Sequence, residues 1–177
     1  ACGAAHADNV APALLGGFIL IRSYDPLDIV RLPVPEGLAV ATAHPHTEIR
    51  TEDARRILKK EVRLADAVRQ WGNLAALVAA LYEGDLELLG RSLQDVVAEP
   101  RRAMLIPGFA EVKAAALASG ALGCSISGSG PSMFALCASM DRAWSAGKSM
   151  QETFRRVGLE CDLYVSGINR VGPVGLE

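Results

Sequence analysis

Four short segments of this chain have residue types and spacings that could bind a small charged ligand. The first is the stretch Ser127-Gly128-Ser129-Gly130-Pro131-Ser132, which lies between two apolar runs. Gly128 and Gly130 lack a Cβ atom, so the backbone there can adopt positive φ and approach a ligand closely. Successive amides in such a turn can form a concave nest for an anion. The stretch predicts a phosphate-contacting loop, and a plain turn between two strands is the alternative for a lone Gly-x-Gly.

The second segment, His6-Ala7-Asp8-Asn9, places three polar side chains within four residues, directly before an apolar run. The amide of Asn9 can donate and accept hydrogen bonds at once, and the ring of His6 can do either. Such a cluster suits a ligand that carries both an amine and a carboxylate. The alternative is that Asp8 or Asn9 only caps a helix or turn.

The remaining two segments each supply an arginine. Thr51 as an N-cap and Arg55 one turn later would face the same side of a helix, where a guanidinium can pair with a carboxylate through two hydrogen bonds. Glu99-Pro100-Arg101-Arg102 offers a second guanidinium just past a helix end. The alternatives are a capped surface helix and a solvated charge pair. His44 and His46 have no third ligand nearby in the sequence, so we predict no metal site and treat both as loop residues.

Composition restricts the class of protein. The chain has 177 residues, half of them hydrophobic, and a net charge of −2, which is typical of a globular domain and argues against nucleic-acid binding. No apolar run approaches the ~20 residues of a membrane span, and the first residues lack the basic region of a signal peptide. The scattered cysteines predict reduced thiols in a cytoplasmic protein, three of them as small core residues. They are Cys2, Cys124, Cys137 and Cys161.

Apolar periodicity and turn residues predict an α+β domain with a largely antiparallel sheet and helices packed on one face. The predicted strands cover residues 13–21, 27–33, 37–43, 122–126, 132–138 and 161–166. The predicted helices cover residues 52–62, 64–82, 86–97, 109–119 and 141–157, with Pro100 ending the third. No linker or repeat divides the chain, so residues 1–177 are predicted to form a single domain.

Together and in this order, the segments resemble the carboxy-terminal part of the homoserine kinase family, within the GHMP kinase superfamily. His6-Ala7-Asp8-Asn9-Val10-Ala11-Pro12 is similar to the family's His-x-Asp-Asn-Val-Ala-Pro segment, and Thr51-x-x-Ala54-Arg55 is similar to its Thr-x-x-Ala-Arg helix. Glu99-Pro100-x-Arg102, followed by Leu105-Ile106-Pro107-Gly108-Phe109, resembles Glu-Pro-x-Arg…Leu-Pro-Gly-Phe. The stretch from Ser127 to Leu136 resembles the third GHMP motif.

This resemblance implies a GHMP-kinase C-terminal-type domain with a ferredoxin-like sheet. It implies ATP-dependent phosphorylation of the side-chain hydroxyl of L-homoserine, in threonine biosynthesis. The residues that would line the homoserine site are His6, Asn9, Thr51, Arg55 and Arg102. The two arginines would bind the carboxylate. The loop residues that would approach the phosphates of ATP are Gly128, Ser129 and Gly130. No catalytic residue and no metal ligand is assigned.

The chain departs from the family pattern at two positions, and it lacks the motifs of the family's N-terminal half. Ser125 stands where the family often has Gly, and Ala7 where it often has Pro. The family's N-terminal half carries an ATP loop, Pro-x-x-x-Gly-Leu-Gly-Ser-Ser-Ala, a Mg²⁺-binding acidic residue and the proposed base, and none of these occurs in this sequence. We therefore expect a fragment that is inactive alone, whose ATP and Mg²⁺ bind mainly through the N-terminal half of the same enzyme.

Two other interpretations stay open. The chain could belong to another GHMP kinase that acts on a mevalonate-type or sugar substrate. It could also be a non-catalytic, amino-acid-binding regulatory module on a ferredoxin-like sheet. A homodimer is a possible assembly, and the sequence does not determine the oligomeric state.

Overall fold

The structure, a computed structural model, describes residues 7–173 of the chain. The strands are β1 (Phe18–Tyr24), β2 (Leu27–Leu32), β3 (Ala39–Pro45), β4 (Gly123–Ile126), β5 (Met133–Cys137) and β6 (Cys161–Gly167). The α-helices are α1 (Val10–Leu15), α2 (Thr51–Arg56), α3 (Leu64–Glu83), α4 (Leu86–Ser92), α5 (Glu99–Arg102), α6 (Phe109–Ala118) and α7 (Met140–Arg156). A 3₁₀ turn at Ala103–Leu105 follows α5.

The centre of the molecule is a four-stranded antiparallel sheet in the order β4-β5-β3-β6. With α6 before β4 and α7 between β5 and β6, the chain follows the β-α-β-β-α-β order of a ferredoxin-like fold. The β1–β2 hairpin forms a separate two-stranded antiparallel sheet. The predicted α+β class and antiparallel sheet are therefore confirmed.

One face of the sheet packs on α6 and α7 through unusually small side chains. Ala39, Ala41 and Ala43 alternate along β3 and are fully buried, as the period of two in a strand requires. On α7, a Cβ atom at Gly147 would lie only 2.7 Å from Cδ1 of Leu163 and 3.0 Å from Cβ of Ala41. Gly147 therefore does not interrupt the helix, and its missing side chain is what allows α7 to lie close to the sheet.

A second, smaller cluster covers part of the opposite face, where α3, α4 and the hairpin meet the sheet. Its buried members are Leu38, Ala80, Leu81, Leu89 and Leu136. The end of α3 that precedes these residues is less covered, because Leu64, Val68 and Trp71 are exposed. The apolar period of α3 therefore predicted the helix correctly, but only its C-terminal half lies in the core.

The strand predicted over 13–21 is wrong in its first part. Residues up to Leu15 form α1, and the strand begins at Phe18. Gly16 and Gly17 both have φ of +70°, a conformation that ends the helix and redirects the chain into β1. A short apolar run does not distinguish a helix from a strand by periodicity alone.

Two predicted helices are shorter than expected. The segment 52–62 is helical only as far as Arg56, and its N-cap is Arg50 rather than Thr51, which is the first helical residue. Continuing this helix would place Arg55 and Lys59 one turn apart, and like charges at that spacing repel.

The helix predicted over 86–97 ends at Ser92, whose hydroxyl donates to the carbonyl of Leu88 at 2.7 Å. Such bonding to the preceding turn competes with the regular helix pattern. Pro100 does not end this helix. It lies in the first turn of α5, where proline is compatible with helical geometry.

The described cysteines are core residues, as predicted. Cys124, Cys137 and Cys161 are buried and form no disulfide, while Cys2 lies outside the described residues. Burial disfavours a thiolate, and it raises the pKa of Cys124 from 9.0 to about 12.

We expect Gly147→Val to destabilise the protein and Gly72→Val to leave it nearly unchanged. Both glycines are helical, but a Cβ at Gly72 meets nothing within 4 Å, so the pair separates packing from helix propensity. Overpacking at Gly147 should cost about 2 kcal/mol, and lower the melting temperature by ~4–8 °C. Thermal unfolding followed by circular dichroism tests this. Equal melting temperatures for the two variants would contradict the packing argument.

We expect stability to fall above pH 9, and the fall to be less steep in Cys124→Ala. Below pH 9 the thiol is protonated in both states, so it contributes no pH dependence. Between pH 9 and about 12 only the unfolded thiol loses its proton, which favours unfolding by ~1.4 kcal/mol per pH unit. Urea unfolding with a reductant between pH 8 and 10.5 measures the slope. Identical slopes for both proteins would contradict this prediction.

Candidate functional site

The glycine-serine loop joins β4 to β5 and is closed by its own backbone. The amide of Ser127 donates to the carbonyl of Ser132 at 2.8 Å, and the amide of Gly130 donates to the carbonyl of Ser127 at 3.0 Å. Gly128 and Gly130 have φ of +60° and +83°. A Cβ atom on Gly130 would lie 3.1 Å from Cδ1 of Ile106, whereas one on Gly128 would meet nothing within 4 Å. Gly130 therefore packs inward, and Gly128 lies on the open side of the loop.

Arg102 connects this loop to α2. Its Nη1 donates to the carbonyl of Gly128 at 2.8 Å, and its Nε lies 3.4 Å from the carbonyl of Ala54. A guanidinium has five N–H donors, so within the described residues three of those of Arg102 remain for another acceptor. The carbonyl of Ala54 is near the C-terminal end of α2, where carbonyls lack partners within the helix. Arg102 is thus fixed by backbone acceptors with donors to spare.

Arg101 and Arg102 point to different places. Arg101 lines a separate cleft of about 300 Å³ together with Lys59, Arg63 and Asp66, at the start of α3. Arg102 alone of the two contacts the glycine-serine loop. The structure therefore places the guanidinium of Arg102, and not that of Arg101, at the glycine-serine loop.

The structure brings three of the four predicted segments together. Arg55 follows Ala54 directly on α2 and is half-buried, so it lies beside the helix carbonyl that Arg102 contacts. Thr51 begins the same helix, but its side chain lies outside the described part of the structure. The glycine-serine loop completes the group, which we call the Arg102 cluster: α2, Arg102 and residues 127–130.

The first predicted segment is only partly described. His6 lies outside the described residues. Asn9 is at the N-cap position of α1, is exposed, and makes no capping hydrogen bond with its side chain. No hydrogen bond within the described chain connects Asn9 to Arg102. The side chain of Asn9 therefore remains available to a ligand, and its capping role is not observed.

Sequence reasoning missed a polar network beneath the Arg102 cluster. Glu99 of α5 has a side chain that is only 12% exposed, and its two carboxylate oxygens have different partners. Oε1 lies 2.5 Å from Nζ of Lys113 on α6, and Oε2 accepts from the hydroxyl of Ser125 on β4 at 2.5 Å. These partners are far from Glu99 in sequence, so no local pattern indicated them.

Both histidines near β3 have side-chain partners, and His44 is a strand residue rather than the loop residue that was predicted. His44 lies in β3, and its Nδ1 is 2.8 Å from the hydroxyl of Ser132, at the end of the glycine-serine loop. His46 follows β3, and its Nε2 is 3.0 Å from a carboxylate oxygen of Asp162. The alternating pattern of β3 could have identified His44 as a strand residue. Its contact with the loop depends on the pairing of β5 with β3. Among residues 7–173 no group of three or more His, Cys, Asp or Glu side chains could hold a metal ion.

The loop has the geometry of one wall of an anion site. Two of its amides, those of Gly128 and Ser129, have no hydrogen-bond partner among the described residues. Since a Cβ atom on Gly128 would meet nothing within 4 Å, a phosphate group could approach these amides from that side. Two amides and nearby serine hydroxyls suffice for contact with a phosphate but not for a complete nucleotide site.

No helix within residues 7–173 has both the length and the apolar character needed to cross a membrane.

Comparison with known proteins gives a consistent family. Residues 77–156 match the family model described as GHMP kinases C terminal. The chain is 59% identical over 174 residues to a homoserine kinase of Chlorobium phaeovibrioides, covering 97% of this chain and 54% of that protein. It is 43% identical over 171 residues to a homoserine kinase of Arabidopsis thaliana, covering 94% and 46%. The chain thus spans about half the length of the curated relatives it matches.

Solved structures agree. A crystal structure of a homoserine kinase from Cytophaga hutchinsonii superposes with a TM-score of 0.95 at 57% identity, over 97% of this chain and 55% of that one. An L. major mevalonate kinase in complex with R-mevalonate gives a TM-score of 0.60 at 18% identity, over 86% and 50%, a likeness of fold alone. The chain therefore matches the GHMP kinase C-terminal model over residues 77–156 and is similar, along nearly its whole length, to the carboxy-terminal portion of homoserine kinases.

Proposed function

We propose that this chain supplies the homoserine-binding part of an ATP-dependent kinase that phosphorylates the side-chain hydroxyl of L-homoserine. The observation that carries the proposal is the Arg102 cluster, in which one guanidinium bridges the α2 helix and the glycine-serine loop. In a kinase that acts on a small amino acid, the acceptor hydroxyl must meet the phosphate, so the groups that bind the carboxylate must lie within one substrate length of the phosphate-contacting loop. Arg102 is the residue that adjoins both.

In this proposal Arg102 and Arg55 hold the carboxylate of homoserine. Arg102 keeps three N–H donors after its two backbone contacts, which is enough for a bidentate pair with a carboxylate. Thr51, Asn9 and His6 would contact the remaining polar groups of the substrate. Fixing the carboxylate orients the far hydroxyl toward the loop, and such orientation is a major part of phosphoryl-transfer catalysis.

The loop residues Gly128, Ser129 and Gly130 would approach the phosphates of ATP from one side. ATP supplies the phosphoryl group, and the free amides of Gly128 and Ser129 fit contact with one of its phosphates. The described residues do not fit a Mg²⁺ site, because no acidic cluster is present among them. We therefore propose that the metal and most of the nucleotide are held by the N-terminal half of the same enzyme. The buried thiols suit a reduced, cytoplasmic setting.

A chimeric enzyme tests the proposed function. This chain would replace the aligned region of the Chlorobium phaeovibrioides homoserine kinase, to which it is 59% identical. We expect the chimera to phosphorylate homoserine and not mevalonate or sugars, and we expect the 177-residue chain alone to show no turnover. A coupled ADP-release assay with each substrate measures this. Activity on mevalonate but not homoserine, or turnover by the chain alone, would overturn the proposal.

Within the chimera, Arg102→Met should impair homoserine use far more than Arg101→Met. Both changes remove a guanidinium from neighbouring positions, but only Arg102 contacts the glycine-serine loop. Loss of a bidentate carboxylate partner should lower kcat/KM by about 100-fold, which corresponds to ~2.7 kcal/mol, mainly through KM. Steady-state kinetics with homoserine as the varied substrate gives both constants. A comparable loss in Arg101→Met would argue against the assigned role of Arg102.

A further inference from the structure

We propose that Glu99 and Ser125 form a positioning pair that sets the location of Arg102 and the glycine-serine loop relative to each other. This inference rests on the proposed function for its kinetic consequences, but its structural part can be tested without activity. Neither residue touches the Arg102 guanidinium. Their effect would pass through the backbone of α5 on one side and of β4 on the other.

Two hydrogen bonds, which we call rungs, connect the segment 99–102 to the segment 125–128. The first rung is the hydrogen bond from Ser125 to Glu99, at 2.5 Å. The second rung is the hydrogen bond from Arg102 to the carbonyl of Gly128, at 2.8 Å. The second rung lies three residues after the first in both segments, from 99 to 102 in α5 and from 125 to 128 in β4 and the loop. The two segments are therefore connected twice at a matched spacing.

The α5 helix needs such an external connection. It has only four residues, and a helix of one turn is not stable by itself, because nucleation is unfavourable. Its N-terminal side is capped by Asp95, whose carboxylate accepts from the amides of Val97, Ala98 and Glu99. Those contacts fix where the helix starts. They restrain its rotation about its own axis, which determines the direction of Arg102, but they do not connect the helix to β4 or to the glycine-serine loop.

The side chain of Glu99 fixes the rotation of α5 relative to β4 and α6. Its carboxylate is buried between β4 and α6, with Ser125 on one oxygen and Lys113 on the other. A buried carboxylate loses its hydration, so it strongly favours the one orientation in which both oxygens have partners. Because residues three apart in a helix lie on nearly the same side, holding Glu99 also constrains the side from which Arg102 leaves.

Ser125 is the point at which the pair can be tested with least damage. Removing its hydroxyl breaks the first rung and leaves the ion pair of Glu99 with Lys113 in place. The Ser119 hydroxyl is a matched control, because it forms a similar part-buried hydrogen bond with Ser149 at 2.7 Å, between α6 and α7 and outside the Arg102 cluster. Both Ser→Ala variants remove one hydroxyl and one hydrogen bond.

The experiment uses Ser125→Ala, Ser125→Thr and Ser119→Ala in the chimeric enzyme, each with and without Arg102→Met. We expect Ser125→Ala to raise KM for homoserine about 3–10-fold with little change in kcat, Ser125→Thr to restore KM, and Ser119→Ala to leave KM unchanged. In the Arg102→Met background, Ser125→Ala should have no further effect on KM, because residues that act through one another are not additive.

Hydrogen–deuterium exchange provides the readout that does not need activity. The amides of Ser127 and Gly130, which are hydrogen-bonded within the loop, should exchange about 3–10-fold faster in Ser125→Ala than in Ser119→Ala, because the second rung is loosened. Faster exchange in an inactive chimera would support the positioning pair and reject only the proposed function. Unchanged exchange, or a KM effect of Ser125→Ala that persists in Arg102→Met, would overturn the positioning pair.

Discussion

The arrangement of the candidate site depends on one guanidinium that donates to two backbone carbonyls. Arg102 reaches Ala54, which is 48 residues earlier in the chain, and Gly128, which is 26 residues later. Backbone carbonyls cannot move away without moving a helix or a loop, so these contacts locate Arg102 more strictly than side-chain partners would. The same contacts leave α2 and the loop on either side of a cation that still has donors to offer.

In the proposed positioning pair, the largely buried carboxylate of Glu99 orients α5 at some cost in stability. Transfer of a carboxylate and an ammonium out of water costs several kcal/mol, and a good ion pair only partly offsets it. Glu99 and Lys113 are 12% and 23% exposed, so this cost applies to them. An apolar pair of similar volume would stabilise the fold as well, but it would not select one orientation of α5. We infer that the ion pair of Glu99 and Lys113 contributes more to the orientation of α5 than to the stability of the fold.

The sequence predicted the regular elements well, because their signals are local. Alternation along β3 and the apolar period of α3 both identify the element from adjacent residues. It failed where a local signal was ambiguous, as at α1, or where a helix ended earlier than its sequence pattern indicated, as at Arg56. The role of Gly147 could not be read from its own helix, because the atoms that require a glycine there lie on β3 and β6.

The candidate site was predicted in its residues but not in its connections. The sequence indicated Arg102 and Gly128 separately, but not the hydrogen bond between them, because that contact depends on how α5 packs against the loop. The contacts of Ser125 with Glu99 and of His44 with Ser132 depend on pairings across the fold, with separations of 26 and 88 residues. No pattern within a window of helix or strand length contains such information.

In the proposed function, the open side of the glycine-serine loop supplies only part of a phosphate site. The loop uses the amides of Ser127 and Gly130 to close itself, which leaves those of Gly128 and Ser129 for a ligand. A triphosphate carries several negative charges, and two amides neutralise only a small part of them. Arg102 is adjacent, but a guanidinium that pairs with a carboxylate is no longer available to a phosphate. In the proposed function, most of the charge on the nucleotide would therefore be balanced by groups that face this loop from outside the described residues.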